Sequence, residues 1–178
     1  AGVAVLLMSF GMSGALENTR ATYYERNRFA DIFVDVNRAP NTMLEIIRDI
    51  DGIAAIAPRV TTYATLDIPA KIDATVAHVV SFPENRPVLN QPTLRLGNWP
   101  DATATDAVVL NAPFGEANDL WPGDTFTATL NGTKRTLTVT GWALSPEFIN
   151  AIGPGSLLPN DAEFGIFWMP EQALAAAL

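Results

Sequence analysis

The sequence has no cysteine and a single histidine, His78. Without cysteine, thiolate chemistry, disulfides and cysteine-ligated metals are excluded outright. His78 sits among the alternating residues of a strand-like segment. A catalytic triad needs a base held by a carboxylate beside a nucleophile, and a lone histidine in a strand supplies neither partner. Basic residues are also scarce, 11 against 19 acidic ones, for a net charge of −8. Nucleic acid is therefore not an expected partner, because binding it requires a cationic face that displaces counterions. Anionic headgroups would be repelled as well, so any tie to a membrane should be hydrophobic. HExxH, P-loop and GxGxxG motifs are all missing.

What is present is apolar enough to fold, since 48% of the 178 residues are hydrophobic. The chain opens on Ala1 to Leu16 (AGVAVLLMSFGMSGAL), which carries no charge until Glu17. A spanning helix needs about 20 apolar residues, so this run is too short to cross a bilayer alone. It begins without an initiator methionine and fits the last turns of a span whose start lies upstream. Gly2, Ser9, Gly11, Ser13 and Gly14 are small residues of the kind common in spanning helices. A buried core helix is the competing reading. A signal peptide is disfavoured because no Lys or Arg precedes the run. Glu17 to Phe29 is polar, mixed in charge and helix-compatible, and reads as a stalk. Tyr23 and Tyr24 are expected to pack on the domain rather than form an aromatic belt.

Periodicity then marks the elements. Asp31 to Val36 reads as a strand with Ile32, Val34 and Val36 on one face. Pro40 and Asn41 begin a helix in which Thr42 and Glu45 have capping-box spacing and Met43, Leu44, Ile47 and Ile50 form a stripe; Asp51-Gly52 stops it. Strands are expected within Ile53 to Ile68 and at Ala74 to Phe82, so the order strand, helix, strand, strand suggests a split βαβ sheet. Pro83, Pro87, Pro92 and Pro100 make 83–100 extended and loop-like. A strand at Ala107 to Asn111 precedes a short helix over Ala112 to Leu120. Phe126, Ala128 and Leu130 alternate up to Asn131-Gly132, and Leu137 and Val139 alternate away, predicting a hairpin with a type I′ turn. Phe164 to Trp168 reads as a buried strand, with Pro170 opening a closing helix to Leu178.

The chemistry-bearing residues are scattered. The pairs Asp31 and Asp35, Asp67 and Asp73, and Asp101 and Asp106 have the composition of calcium or glycosidase sites, but sequence spacing supplies no geometry. Asn131-Gly132-Thr133 is a glycosylation sequon, already explained by the turn. Trp99, Trp121, Trp142 and Trp168 fit core anchors, with a ligand patch as the alternative. The residues thus indicate no enzyme, no catalytic residue, no metal site and no cofactor.

The order of several segments resembles a known family. These are the apolar helix end running into the Tyr23-Tyr24 stalk and Arg28 to Phe33; Asp49-Ile50-Asp51-Gly52-Ile53 followed by Pro58-Arg59-Val60; and Leu96 to Pro100, where Asn98 departs from the usual Gly-Arg-x-Pro. Val108 to Asn111, Leu120 to Asp124, Gly141, Ser145-Pro146-Glu147 and Phe164 to Met169 complete the set. Together they resemble the first extracytoplasmic domain of an FtsX-like ABC transporter permease, of the MacB type with a periplasmic core domain.

The resemblance implies an α+β fold. A split βαβ porter-like part (29–105 and 164–178) and a smaller β-rich part (106–163) would follow a transmembrane helix end and stalk (1–28). It implies a membrane-anchored protein of the bacterial inner membrane with this domain on the periplasmic side. A cytoplasmic ABC ATPase subunit, a second permease copy or relative, and an extracytoplasmic partner are the implied partners. The implied role is to pass ATP-driven motion through a stiff helix to a lipid, lipoprotein or peptide substrate or a partner, without catalysis in this domain. Apolar sequence before Ala1 and a second span after Leu178 are expected. A free-standing periplasmic or secreted binding module using its tryptophans is the alternative.

Overall fold

A computed structural model describes residues 16–68, 71, 75–84 and 87–178. The expectation for the opening apolar run falls, apart from Leu16, outside the described residues. Within them the protein is α+β, with four helices and seven strands. Residues 16–26 are helical (α1), followed by α2 (Asn41–Arg48), β1 (Thr61–Asp67), β2 (Thr75–Phe82) and β3 (Thr93–Gly97). Then come β4 (Ala107–Asn111), α3 (Ala112–Ala117), β5 (Thr125–Leu130), β6 (Thr133–Leu144), β7 (Phe164–Pro170) and α4 (Glu171–Ala175).

The seven strands form one mixed sheet in the order β3-β6-β4-β7-β2-β1-β5, and β5 also pairs with β6. That last pairing closes six strands into a barrel and leaves β3 as an appendage on β6. β2 runs parallel to β7 and β4 parallel to β6; the other pairs are antiparallel. β1 pairs with β5, and β7 pairs with both β2 and β4. Strands from 29–105, 106–163 and 164–178 therefore share one continuous sheet.

The hairpin forms where the alternation placed it. Asn131 (φ 45°) and Gly132 (φ 77°) take the two left-handed positions of a type I′ turn, and Leu130 pairs with Thr133. Alternate residues then point inward, and Phe126, Ala128, Leu130, Leu137 and Val139 are buried. With Leu66, Val79, Leu110, Phe114, Phe167 and Met169 they build the interior cluster, to which α4 adds Ala173 and Leu174. β4 and β7 are buried along their whole length, as apolar runs covered on both faces must be. Their outward residues, Val109, Ile166 and Trp168, join Val80 and Phe164 in a second cluster.

Four expectations are corrected. Residues 31–36 are not a strand: among the described residues no strand pairs with them, and Ile32, Val34 and Val36 are 73%, 76% and 61% exposed. Alternation alone does not make a strand without a ladder partner. The stalk helix does not run to Phe29 but ends at residue 26. Helix α2 carries no capping box, because Pro40 is its N-cap, no side chain caps it, and Thr42 lies inside the first turn. Finally, the proline-rich stretch contains β3, which fits between Pro92 and Pro100 because neither proline lies within Thr93–Gly97.

Candidate functional site

Helix α1 ends in a Schellman motif built from side chains as much as backbone. Arg28 adopts φ 51°, the Phe29 amide donates to the Tyr24 carbonyl at 2.9 Å, and the Arg28 amide donates to Glu25 at 3.1 Å. The apolar contact that usually accompanies this motif is the Tyr24–Phe29 stack, with ring centroids 4.6 Å apart. Next to it, Asn27 is buried, with both its side-chain nitrogen and its side-chain oxygen hydrogen-bonded. Its Nδ2 donates to the Tyr23 carbonyl at 2.8 Å, and its Oδ1 accepts from the Thr93 hydroxyl at 3.0 Å. Its backbone carbonyl accepts from Gln91 at 2.8 Å, while Arg28 accepts from the Asn90 amide at 2.9 Å. The Ala30 amide donates to the Asn90 side chain at 2.9 Å. The helix end is thus fixed to the segment that enters β3.

This junction forms one wall of a cleft of about 510 Å³, within the range of small-ligand pockets. Arg26, Asn27, Thr93 and Leu94 line that side; Pro83, Pro87, Pro92, Pro100 and Pro170 surround it. Phe82 and Trp99 stack face to face across its floor at 4.3 Å and 8°. Arg26 and Glu84 are the charged side chains in its lining. The cleft can hold a ligand by apolar and stacking contacts, but it presents no activated nucleophile.

A second cluster covers the outward face of β1 and β2. His78 stacks on Tyr63 at 5.1 Å, the residue opposite it across the ladder, and meets Phe148 edge-on at 5.8 Å. Arg59 donates through both terminal nitrogens to both carboxylate oxygens of Glu147, and its guanidinium lies 5.8 Å over the Phe33 ring. Burial, then the Arg59 charge, hold His78 below its ordinary value of 6.5, against the opposing pull of Glu147 and Asp35. The His78 imidazole is thus packed between two rings.

A third feature is an apolar face over residues 32–53. Ile32, Phe33, Val34, Val36, Met43, Ile46, Ile50 and Ile53 are all exposed, and no described side chain of α2 is buried. Of the stripe read from the sequence, Met43 and Ile50 are exposed while Leu44 and Ile47 are half-buried.

The acidic pairs do not assemble into a site. Asp31 and Asp35 are exposed, Asp67 meets Lys134 at 3.9 Å, and Asp73 lies outside the described residues. Asp101 accepts from the amide and hydroxyl of Thr103, which hold its carboxyl below the usual range. The Asp106 carbonyl accepts from the Thr138 amide at 2.7 Å. Among the described residues no group of three or more His, Asp or Glu stands close enough to hold a metal ion. The sequon's Asn131 donates its side-chain amide to the Leu178 carbonyl at 2.6 Å. Trp142 is buried, with its indole N–H on the Leu120 carbonyl at 2.8 Å, and Trp121 leans on it at 4.5 Å. Trp168 is buried in the outer cluster, so Trp99 is the tryptophan that lines the cleft. The Asn27 junction has no motif in the sequence; the one signal for it is a polar Asn at the end of a helical stretch.

No family model matches this chain, and no curated protein sequence matches it. Among the described residues no helix is long and apolar enough to cross a membrane.

Proposed function

We propose that this chain is an extracytoplasmic domain of an FtsX-like, MacB-type ABC transporter permease, acting as a mechanical coupler rather than an enzyme. The observation that carries this reading is the union of α1, at Asn27, with β3 and the segment that leads into it. A helix end secured by a Schellman motif, an aromatic stack and a buried bonded asparagine transmits displacement instead of absorbing it. In this reading α1 continues a membrane span, and ATP binding by a cytoplasmic subunit drives the domain through it. The porter-like part (29–105 with 164–178) and the β-rich part (106–163) are then a division of labour on one sheet. A substrate of lipid, lipoprotein or peptide character, or an extracytoplasmic partner, would receive the motion. Inserting two glycines between Arg20 and Tyr24 of the complete transporter should abolish transport while ATP binding persists; unchanged transport would remove the reading.

A free-standing periplasmic or secreted binding module is a second reading, favoured by the Phe82–Trp99 cleft. It expects ligand to quench Trp99 emission in the isolated chain, and the quench to vanish in Trp99→Leu.

A further inference from the structure

Every strand of the barrel has a partner on each side, whereas β3 is paired on one edge only, with β6. Among the described residues, none of 93–97 makes a backbone hydrogen bond outside that ladder. The strand is exposed at Thr93, Arg95, Leu96 and Gly97. Such an edge is a row of unmet donors and acceptors, and an extended chain is what satisfies it. The edge also opens directly onto the cleft, because Thr93 and Leu94 belong to both. Gly97, at φ 73°, has room only for a hydrogen where it passes the Thr140 carbonyl, which keeps β3 tight on β6.

We propose that the open edge of β3 and the adjoining Phe82–Trp99 cleft form one binding site for an extended acidic peptide segment of a partner protein, added as a further strand. The backbone of the peptide would continue the sheet. One of its side chains would enter the cleft against Trp99, and an acidic one would face Arg95. Charge selects this occupant. Arg26 lines the cleft and Arg95 lies on β3, neither carries an ion pair among the described residues, and Glu84 is the acid in the cleft lining. A second copy is a poorer occupant, since two-fold antiparallel pairing centred on Arg95 would set one guanidinium opposite the other. The inference stands on the edge and the cleft, independently of what drives the domain.

The test uses the 178-residue chain in mild detergent and a labelled peptide of alternating valine and aspartate. Two controls accompany it: the same peptide N-methylated at alternate backbone positions, and a version with lysine for aspartate. The acidic peptide should bind at least about tenfold more tightly than either control, the order expected from losing one or two charge-assisted or ladder hydrogen bonds. Hydrogen exchange should slow within residues 93–97 when it binds. Arg95→Glu should invert the charge preference, and Trp99→Leu should weaken binding without changing that preference. Equal affinity for the N-methylated peptide, protection over residues 32–53 instead, a dimer joined through β3, or no binding at all would each overturn the proposal.

Discussion

The Thr93 hydroxyl donates to the Asn27 side-chain oxygen at 3.0 Å, tying the end of helix α1 to the first residue of β3. The two residues are 66 positions apart, and Asn27 is only 4% exposed. Replacing Asn27 by alanine leaves the Thr93 hydroxyl and the Tyr23 carbonyl without these partners. The expected cost is about 1–3 kcal/mol, measured by denaturant unfolding. Thr93→Val should recover part of that loss in the double variant, because both ends of the bond are then apolar.

Arg28 occupies a left-handed conformation at φ 51°, in the position where a helix usually ends on glycine. Arg28→Gly should therefore raise stability, by about 0.5–1 kcal/mol, through relief of the backbone penalty. A fall in the thermal midpoint would show that the arginine side chain contributes more than its backbone costs.

His78 is held below its ordinary value of 6.5 in the folded protein, so the unfolded chain binds its proton more readily. Its contribution to stability is therefore present above that value and is lost as pH falls through the folded one. The thermal midpoint should drop more steeply between about pH 7 and pH 5 in the native chain than in His78→Gln. The direction can be checked on the lone imidazole by NMR titration. Arg59→Gln should move its pKa up, and Glu147→Gln should move it down.

Burial separates two sets of apolar residues that look alike in sequence. Phe167 is fully buried where the edges of Phe114 and Phe126 meet it, so Phe167→Ala should cost about 3–5 kcal/mol. Ile46, 64% exposed on α2, should tolerate serine within about 0.5 kcal/mol. A large cost at Ile46 would mean that the apolar face is covered in solution.

Local structure was legible where the chain itself supplied both partners. Asn131-Gly132 forced the turn, and the flanking alternation then set the register of β5 on β6. The segment 107–111 reads as a strand and the apolar run at 164–168 as a buried one, and both form. Barrel closure was not legible, because β1 meets β5 across more than fifty residues and no local pattern records that pairing. For the same reason Ile32, Val34 and Val36 imitate a strand that has no partner. Thr42 and Glu45 imitate a cap that Pro40 pre-empts. The cleft was invisible as a site, since its floor joins Phe82 to Trp99 and its wall joins Asn27 to Thr93. The lone histidine likewise comes within electrostatic reach of Asp35 and Glu147, a proximity that no local pattern in the sequence records.

The proposed coupling role requires α1 and the sheet it is tied to through β3 to move as one body. Because these 178 residues hold no cysteine, spin labels can be placed in them through Arg20→Cys and Lys134→Cys, with any cysteine elsewhere in the complete transporter replaced first. Dipolar spectroscopy should give one narrow distance between them that is the same without nucleotide and with ATP bound, while the distance from the domain to the membrane-spanning part changes. A label-to-label distance that shifts or broadens on ATP binding would place a hinge at Asn27 and contradict the account.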